Sequence, residues 1–345
     1  MSAGEKFEGL PGSSSEASMM VVAVSSRALF HLENENEIFS KGGQEAFDDH
    51  MLTNARKLLK PGVAFPIVRR LLAMNSPGRK DRVTVIVLSR NSPAAGTRIM
   101  RSINEMGLDV QKAVFTSGSE RFRYAEAMGT DLFLSANAVD VQSAASYGIA
   151  AATVVPMEVT DDGQPELRVA FDGDSTILGS SGDAVFMEFG LESFREHEVR
   201  NAHVPLEDGP FRPVIEKLAR IRASLGDRSG LIRLALVTAR GLSAHERAMN
   251  TLMGWGVHVD EAVWADGAEK GSILRAFKAH IYFDDTMRHV ESAVRHAVPA
   301  GQVLSGIAQV ARTAPVMALK ATRLADEAEA QAPSAAGEIL NQGVA

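Results

Sequence analysis

The chain has 345 residues, a length typical of two domains or one large α/β unit, and its 45% apolar and 23% charged residues are ordinary for a folded globular protein. A disordered or fibrous chain is therefore excluded. The 36 basic residues against 43 acidic ones give a net charge of −7, the wrong sign for a protein that binds nucleic acid through its phosphates. The absence of cysteine excludes disulfides, thiolate metal sites and a cysteine nucleophile, and it suits a reducing cytoplasm.

The first part of the chain has the pattern of a polar tail followed by alternating strands and helices. Residues 1–18 have little apolar content and lack the order of a signal peptide, so we expect a disordered tail. No apolar run approaches the ~18 residues of a membrane span, and we expect a cytoplasmic protein with no membrane partner. Residues 19–157 predict a parallel sheet covered by helices, because short β-rich runs alternate with helical patterns. The predicted strands are Val21–Val24, Val83–Leu88, Ala113–Thr116, Leu132–Leu134 and Ala150–Val155, with helices such as Pro66–Met74 and Ala95–Met106 between them.

A turn-rich linker at residues 158–166 separates this part from a second one, residues 167–312, with the same pattern. The first two strands of the second part are far apart in sequence, so we expect a helical cap insertion over about 178–230. Residues 313–345 are rich in Ala and predict a peripheral helix with a frayed tail. The predicted strands of the second part are Leu167–Phe171, Ile232–Val237, Glu261–Ala265, His280–Phe283 and Gln302–Leu304.

The second part repeats the first. A shift of 147 residues, and after a two-residue indel a shift of 149, pairs identical residues along both parts. We interpret the repeat as an internal duplication that gives two Rossmann-like α/β units side by side, each with a helical cap insertion after its first strand. The alternative is chance similarity between two α/β units. The pairs include Gly43 with Gly190, His50 with His197, Arg98 with Arg247 and Gly107 with Gly256.

The two parts differ in the polar side chains at their strand ends. The second part carries carboxylates, a hydroxyl and an amine there, whereas the first part carries hydroxyls and arginines. Because the carboxyl ends of parallel strands meet at one edge of a sheet, these side chains should converge. An acidic centre is therefore predicted only in the second part. The equivalent positions are Asp172 and Ser25, Asp174 and Arg27, Thr238 and Ser89, Lys270 and Arg121, and Asp284-Asp285 and Ser135-Ala136.

Carboxylates without cysteine or histidine form an oxygen site of the kind that Mg²⁺ prefers, and an amine and a hydroxyl beside it favour phosphate. Asp172 could attack phosphorus as a covalent nucleophile, and Asp174 could protonate the leaving oxygen and then activate water. Thr238 and Lys270 would hold and neutralise the oxygens of the phosphoryl group during its transfer. The expected metal ligands are Asp172, Asp174, Asp284 and Asp285.

The order of these motifs resembles the haloacid dehalogenase-like phosphohydrolase superfamily, and from about Val21 to Ile307 the chain more closely resembles the cytosolic 5′-nucleotidase I family. The resemblance implies Mg²⁺-dependent hydrolysis of nucleoside 5′-monophosphates, AMP prominently, to nucleoside and phosphate. We expect substrate contacts at Gly173, Ala239 and Arg240. The motifs that carry the resemblance include Ser25-Ser26-Arg27-Ala28-Leu29-Phe30, Leu88-Ser89-Arg90-Asn91-Ser92-Pro93, Phe171-Asp172-Gly173-Asp174-Ser175-Thr176, Leu236-Val237-Thr238-Ala239-Arg240, Lys270 and Phe283-Asp284-Asp285.

Several of these residues have a structural alternative. Asp285 could cap a helix predicted at Thr286–His296, and Lys270 could be a solvated surface lysine. Arg240 could form a surface salt bridge instead of binding substrate phosphate. His289 and His296 lie on one stripe of the same predicted helix, where we expect a surface or an interface.

The first part has two interpretations. It could be a scaffold that packs beside the active unit. It could also be a regulatory site for a nucleotide effector, because basic and hydroxyl groups suited to an anion replace the acidic centre. The candidate residues of that site are Arg27, Ser89, Arg90, Asn91 and Arg121.

Two functional alternatives remain beside the nucleotidase. One is a phosphatase of the same superfamily that acts on a sugar phosphate or another small metabolite. The other is a nucleotide-sensing protein without turnover, which the order of the motifs disfavours, since receiver domains place the acidic pair first. A homo-oligomer is also left open.

Overall fold

The computed structural model describes residues 19–304, where ten strands form one sheet. The strands are β1 (Met20–Val24), β2 (Val83–Ser89), β3 (Lys112–Phe115), β4 (Leu132–Ser135), β5 (Ala150–Val154), β6 (Leu167–Phe171), β7 (Ile232–Thr238), β8 (Glu261–Trp264), β9 (Ile281–Asp284) and β10 (Ala300–Val303). Each strand predicted from the sequence is confirmed, with ends that differ by at most two residues. The predicted tail at 1–18 and the predicted helix and tail at 313–345 lie outside the described residues.

Helices connect these strands. Two to three of them follow the first strand of each half, α1 to α3 after β1 and α7 and α8 after β6. None of the helices between residues 19 and 304 combines the length and the apolar composition that a bilayer span requires. The helices are α1 (Ser26–Leu29), α2 (Glu33–Thr53), α3 (Phe65–Leu72), α4 (Pro93–Glu105), α5 (Phe122–Ala127), α6 (Ala138–Ser146), α7 (Ser181–Arg200), α8 (Arg212–Ser224), α9 (His245–Gly254), α10 (Gly271–Phe277) and α11 (Met287–Arg295).

The strand order is the same in both halves. One half has the order β3-β2-β1-β4-β5, and the other has β8-β7-β6-β9-β10. Neighbouring strands within each half are parallel, and β5 pairs with β10 in the antiparallel sense. The sequence predicted two units side by side but not the join that makes one sheet of them. Small residues permit this join, since a Cβ on Gly301 would already lie 3.1 Å from the Cβ of Ala152.

Unusual backbone conformations recur at the spacing of the sequence repeat. Gly43 in α2 and Gly190 in α7 interrupt their helices with φ values of +71° and +82°. This left-handed region costs glycine little and other residues more. Further positions with positive φ, all 149 residues apart, are Gly107 and Gly256, Ser117 and Asp266, Gly118 and Gly267, Gly129 and Lys278, and Gly148 and Ala297.

The apolar strands β6, β7 and β9 bring three polar residues to one edge of the sheet. Phe171 of β6 pairs in register with Leu236 of β7 and with Phe283 of β9. The rings of Phe171 and Phe283 pack with their centroids 5.6 Å apart, in a core buried on both faces of the sheet. Since these strands are parallel, Asp172, Thr238 and Asp284 all lie at their carboxyl ends.

Candidate active site

Three buried carboxylates meet at the carboxyl ends of β6 and β9. Oxygen atoms of Asp172, Asp284 and Asp285 all lie within 4.8 Å of one another. Asp172 directly follows β6, whereas Asp284 ends β9 and Asp285 comes next. Like charges held this close in a buried place require a compensating positive charge.

Lys270 supplies such a charge. Its side chain is fully buried, and Nζ lies 2.7 Å from Oδ1 of Asp172 and 2.8 Å from Oδ2 of Asp284. Nζ also donates to the hydroxyl of Tyr282 at 2.9 Å. The interpretation of Lys270 as a solvated surface lysine is therefore wrong, because this ammonium bridges two carboxylates.

Close helix packing positions Lys270. Gly271 begins α10 directly after the lysine, and a Cβ at this position would lie 2.6 Å from the carbonyl oxygen of Ser292 on α11. A side chain there would separate the two helices. Glycine at position 271 thus allows the approach of α10 to α11 that places Lys270 beside the carboxylates.

The buried charges shift one another's protonation. Burial raises the pKa of Asp172 well above its usual value, and Lys270 offsets this only in part. Burial acts in the same direction on Asp284, but the charge of Lys270 and a hydrogen bond from His289 outweigh it and hold the pKa of Asp284 well below its usual value. For Lys270, burial lowers the pKa, but the two carboxylates outweigh burial and raise it above normal. The ionised form of Asp284 is therefore favoured by Lys270 and His289, whereas burial disfavours the ionised form of Asp172.

Asp284 has several hydrogen-bond donors around it. Oδ1 accepts a hydrogen bond from the backbone N–H of Thr286 at 2.7 Å. Oδ2 accepts from the hydroxyl of Tyr282 and lies 3.0 Å from Nδ1 of His289. The prediction that His289 lies at a surface or an interface is therefore wrong, because the first turn of α11 directs it back to Asp284. Asp285 is buried and accepts from the hydroxyl of Thr286 at 3.2 Å.

Asp174 is held by a different cation. Arg240 donates to both of its carboxylate oxygens, from Nη2 at 2.6 Å and from Nε at 2.8 Å. The side-chain carboxylate of Asp174 is not among the three that lie within 4.8 Å of one another, although the sequence predicted it as a metal ligand. The alternative of a surface salt bridge for Arg240 is wrong, since Arg240 is only 4% exposed.

A fully buried glutamate extends this network into the helical insertion. Glu198 on α7 accepts a hydrogen bond from Arg240 through Oε2 and another from Arg247 through Oε1 at 2.7 Å. Burial lowers the pKa of Arg240, but the carboxylates of Asp174 and Glu198 outweigh it, so that its pKa lies above the ordinary value. His197 lies 3.2 Å from Arg247 and thus belongs to this network.

Thr238 and Gly173 face each other across the strand ends. The hydroxyl of Thr238 accepts from the backbone N–H of Arg240 at 3.2 Å, and a Cβ on Gly173 would lie 3.3 Å from that hydroxyl. Ala239 is exposed in the loop between Thr238 and Arg240. Ser175, in the turn after Asp174, has a φ of +57°, a strained conformation of the kind found near functional sites.

Sequence reasoning missed four residues of this site: Glu198, Arg247, Tyr282 and His289. One of them had a usable signal. Tyr282 lies two residues before Asp284 on a strand, so the two side chains share a face. Glu198 and Arg247 had none, because their contacts arise only when α7 packs near α9.

The candidate residues of the first half lie together at a different place. Arg27, Ser89, Arg90, Asn91 and Arg121 all line one cavity of about 220 Å³. Arg27 is also bound by Glu33, with Nε 2.8 Å from Oε1.

Buried carboxylates, a lysine and a threonine thus meet at the ends of parallel strands. Such a site belongs to the class of α/β proteins that act on phosphate groups. Comparison with protein families gives a match to the 5′-nucleotidase family over residues 13–310, and the chain therefore belongs to that family. This result confirms the resemblance seen in the sequence.

One curated relative is human cytosolic 5′-nucleotidase 1B, which is 33% identical over 291 residues. The match covers 80% of this chain and 47% of the relative, so the chain spans about half the length of the curated relative that it matches. Comparison with solved structures gives no match.

The family implies a divalent metal ion, and the donor set fits one. The three clustered side chains offer only carboxylate oxygens, the ligands that hard cations such as Mg²⁺ prefer. A divalent cation would also supply the positive charge that Asp172 requires in its buried position.

Proposed function

We propose that this chain is a Mg²⁺-dependent 5′-nucleotidase that hydrolyses nucleoside 5′-monophosphates, AMP in preference, to nucleoside and phosphate. The observation that carries the proposal is the contact of Lys270 with both Asp172 and Asp284 beside a third carboxylate, in a chain of the 5′-nucleotidase family. We further propose that the protein is cytoplasmic, in keeping with its lack of cysteine and with its similarity to the human cytosolic enzyme.

Asp172, Asp284 and Asp285 are the side chains that would hold the metal. When bound, the ion would supply positive charge to the non-bridging oxygens of the phosphoryl group. The ammonium of Lys270 would offset the negative charge of the same phosphoryl oxygens, because it lies between Asp172 and Asp284.

In the proposed reaction Asp172 is the nucleophile. A carboxylate oxygen of Asp172 forms a bond to phosphorus, the ester bond from phosphorus to the 5′ oxygen breaks, and the leaving oxygen takes a proton from Asp174. Asp174 then accepts a proton from water, whose oxygen forms a bond to the phosphorus of the aspartyl phosphate as the bond from phosphorus to the Asp172 oxygen breaks. Inorganic phosphate leaves, and Asp172 and Asp174 return to their starting states.

Arg240 controls when Asp174 can act. In the structure both carboxylate oxygens of Asp174 accept hydrogen bonds from Arg240. To donate a proton, Asp174 must first be released from Arg240 and take up a proton from water, and a substrate phosphate is a competing partner for the guanidinium. We propose that Arg240 turns from Asp174 to the substrate, while Gly173, Thr238 and Ala239 border the phosphoryl group.

The helical insertion is proposed as the cap that excludes water. The start of α7 approaches the site, since a Cβ on Gly182 would lie 2.8 Å from Nη2 of Arg240 and 3.4 Å from Oδ1 of Asp174. Glu198 on the same helix binds Arg240. Movement of α7 would therefore alter the contacts of Asp174, which is the behaviour expected of a lid.

An internal duplication is proposed as the origin of the two halves. The equal strand order, the positive φ values at a constant spacing and the helices after each first strand support it. The acidic chemistry then belongs to the second copy alone, where Asp172 and Asp284 replace Ser25 and Ser135.

The proposal is tested by release of inorganic phosphate from a panel of nucleoside monophosphates and sugar phosphates, with Mg²⁺ and with EDTA. We expect AMP to be hydrolysed fastest and EDTA to stop the reaction. Asp172→Asn should lower kcat by ~10⁴-fold or more, as for other covalent nucleophiles. The matched control is Asp49→Asn, an exposed residue on α2. Equal rates in the Asp172→Asn protein would disprove the covalent role, and faster release from sugar phosphates would disprove the substrate class.

A further inference from the structure

A cavity of about 220 Å³ lies at the carboxyl ends of β1, β2 and β4, in the half without the acidic centre. Its volume is below the ~300–1,000 Å³ of sites for drug-sized ligands. It therefore suits a small molecule or one end of a larger one. The proposed nucleotidase reaction makes no use of it.

The cavity occupies the place that the acidic site occupies in the other half. Strand register and the sequence repeat put Ser25, Ser89 and Ser135 at the positions of Asp172, Thr238 and Asp284. Serine hydroxyls lack the charge of the carboxylates they replace. The cavity is therefore a poor site for a divalent cation but retains hydrogen-bonding groups at the same sheet edge.

Arg121 is the counterpart of Lys270 in the sequence repeat, and one N–H group of its guanidinium is left without a hydrogen-bond partner among residues 19–304. The residue is 3% exposed, and its Nη2 lies 2.7 Å from Oδ2 of Asp140. Among residues 19–304, its buried Nε has no hydrogen-bond partner. A buried donor left without a partner costs free energy, and the residue that carries it lines the cavity.

The charge of the cavity favours an anion. Arg27, Arg90 and Arg121 line it; Asp140 is the one carboxylate among its described lining residues, and Glu33 outside the lining pairs with Arg27. Burial lowers the pKa of Arg121, and only the charge of Asp140 and its hydrogen bond oppose this strongly. Nε of Arg90 lies 3.5 Å from Oδ1 of Asp140, and its side chain is half-exposed, so it can turn toward a ligand.

Hydroxyl and amide groups form the polar surface beside these arginines. The hydroxyls of Ser26 and Ser89 lie 3.1 Å apart, and the backbone N–H of Asn91 donates to Ser89 at 3.1 Å. Such groups, together with guanidinium forks, match the several acceptor oxygens of a phosphoryl group.

Apolar side chains also line the cavity, beside the polar Asn36 and Gln44 of α2. Leu32, Phe39 and Phe47 line it, and the two phenylalanine rings pack edge to face with centroids 6.1 Å apart. Phe39 is 46% exposed, so the cavity opens to solvent beside this ring. A ligand with a phosphoryl group at one end and a less polar body at the other fits both kinds of lining side chain.

We propose that this cavity binds a phosphate monoester of a small metabolite without a metal ion and does not hydrolyse it. Arg121 and Arg90 bind the phosphoryl oxygens, and the serine hydroxyls complete the contacts. With no carboxylate at the positions of Asp172 and Asp284, the cavity has neither the nucleophile nor the ligands of the proposed catalytic site. The proposal goes beyond the hydrolysis proposed for the second half.

The test is isothermal titration of the full chain with ribose 5-phosphate in EDTA, which removes divalent cations. We expect one site per chain, with binding at least about tenfold weaker in both Arg121→Met and Arg90→Met. Arg123→Met is the matched control, because this exposed arginine lies outside the cavity lining and its loss changes the net charge equally. Its affinity should equal that of the unchanged chain.

Further titrations show where the ligand binds and which chemical group of the ligand is recognised. Inorganic phosphate should compete with ribose 5-phosphate, whereas ribose should not. Asp172→Asn should leave binding in EDTA unchanged, because that residue belongs to the other half. Should Arg121→Met fail to fold, as judged by circular dichroism, the half-exposed Arg90 decides the test alone.

The proposal is overturned by absence of binding in EDTA, by equal affinity in the Arg90→Met chain, by loss of binding in the Asp172→Asn chain or by equal binding of ribose. The first of these results would favour the scaffold interpretation. Loss of binding in the Asp172→Asn chain would instead place the sugar phosphate at the proposed catalytic site, whereas the other three results do not bear on the hydrolysis assay.

Discussion

Arg240 binds Asp174 through two parallel hydrogen bonds, with Nη2 2.6 Å from Oδ1 and Nε 2.8 Å from Oδ2. The same guanidinium reaches Glu198 on α7 through Nη1. One arginine thus links the strand-end loop of β6 to the helical insertion, and both of its partners are carboxylates.

Glu198→Gln is expected to destabilise the chain strongly. The side chain of Glu198 is fully buried between Arg240 and Arg247, so loss of its charge leaves two buried cations with fewer partners. The free energy of unfolding should fall by ~3 kcal/mol, measured by urea denaturation. Glu216→Gln is the control, since this partly exposed carboxylate pairs with Arg212 and its loss should cost less than ~1 kcal/mol. Equal losses in the two variants would show that the network contributes no more than a surface pair.

Lys270→Met is expected to affect both turnover and metal dependence. Removal of the ammonium leaves three buried carboxylates without their nearest cation, so unfolding in EDTA should require ~3 kcal/mol less. Saturating Mg²⁺ should raise the unfolding free energy of this variant more than that of the unchanged chain, because the ion replaces the lost charge. The kcat for phosphate release should fall by ~10²–10³-fold.

The control for this variant is Lys278→Met, an exposed lysine at the end of α10. It should behave like the unchanged chain in both assays. Equal stabilisation of the Lys270→Met and unchanged chains by Mg²⁺ would argue against a metal beside Lys270.

Two glycine substitutions are expected to change the free energy of unfolding in opposite directions. Gly271→Ala places a Cβ 2.6 Å from the carbonyl oxygen of Ser292 and should lower the unfolding free energy by ~1–3 kcal/mol. Gly254→Ala adds a Cβ that meets no described atom within 4 Å outside its own helix, and should raise it by ~0.5–1 kcal/mol. Thermal and urea unfolding measure both. The first variant should also lose turnover, since Lys270 precedes Gly271; unchanged kcat would contradict the positioning role of this contact.

His280 is expected to make stability fall in acid. Burial and then the charge of Arg70 lower its pKa to about 4, from an ordinary value near 6.5. Between these values the unfolded chain binds the proton more readily than the folded chain, so stability is full above pH 6.5 and falls as the pH drops toward 4.

His280→Asn tests this dependence, because its amide oxygen can still accept the hydrogen bond that the backbone N–H of Arg168 donates to Nδ1 of His280. The ring of His280 is partly exposed, which reduces the effect. Between pH 7.5 and pH 5, the free energy of unfolding of the variant should fall by about 1 kcal/mol less than that of the unchanged chain. The exposed His258→Asn is the control and should leave the loss unchanged. An identical acid loss in the His280→Asn chain would contradict the assignment.

The sequence alone was sufficient to predict the strands and the residues at the centre of the candidate site. Asp172, Thr238 and Asp284 each end or follow an apolar run, and parallel strands must bring such ends together. Lys270 could be placed because the repeat pairs it with another basic residue. These inferences need only periodicity and strand direction.

Contacts across the helical insertion could not be predicted in this way. The bond between Asp174 and Arg240 joins residues 66 positions apart, and the sequence does not show that Arg240 would face Asp174 instead of solvent. The assignment of His289 was wrong for a similar reason, since its proximity to Asp284 depends on how α11 leaves β9. Side-chain partners that depend on helix packing require the folded chain.

The antiparallel pairing of β5 with β10 separates the proposed catalytic site from the proposed ligand cavity. Because strands on either side of this pairing run in opposite directions, the carboxyl ends of one half and those of the other emerge at opposite margins of the sheet. A molecule in the serine-lined cavity and a substrate at Asp172 could be present together without touching. Any influence of one on the other would have to be transmitted through the shared sheet or through side-chain contacts between the halves, such as the ion pair of Lys217 with Asp131, as strain or as altered rigidity.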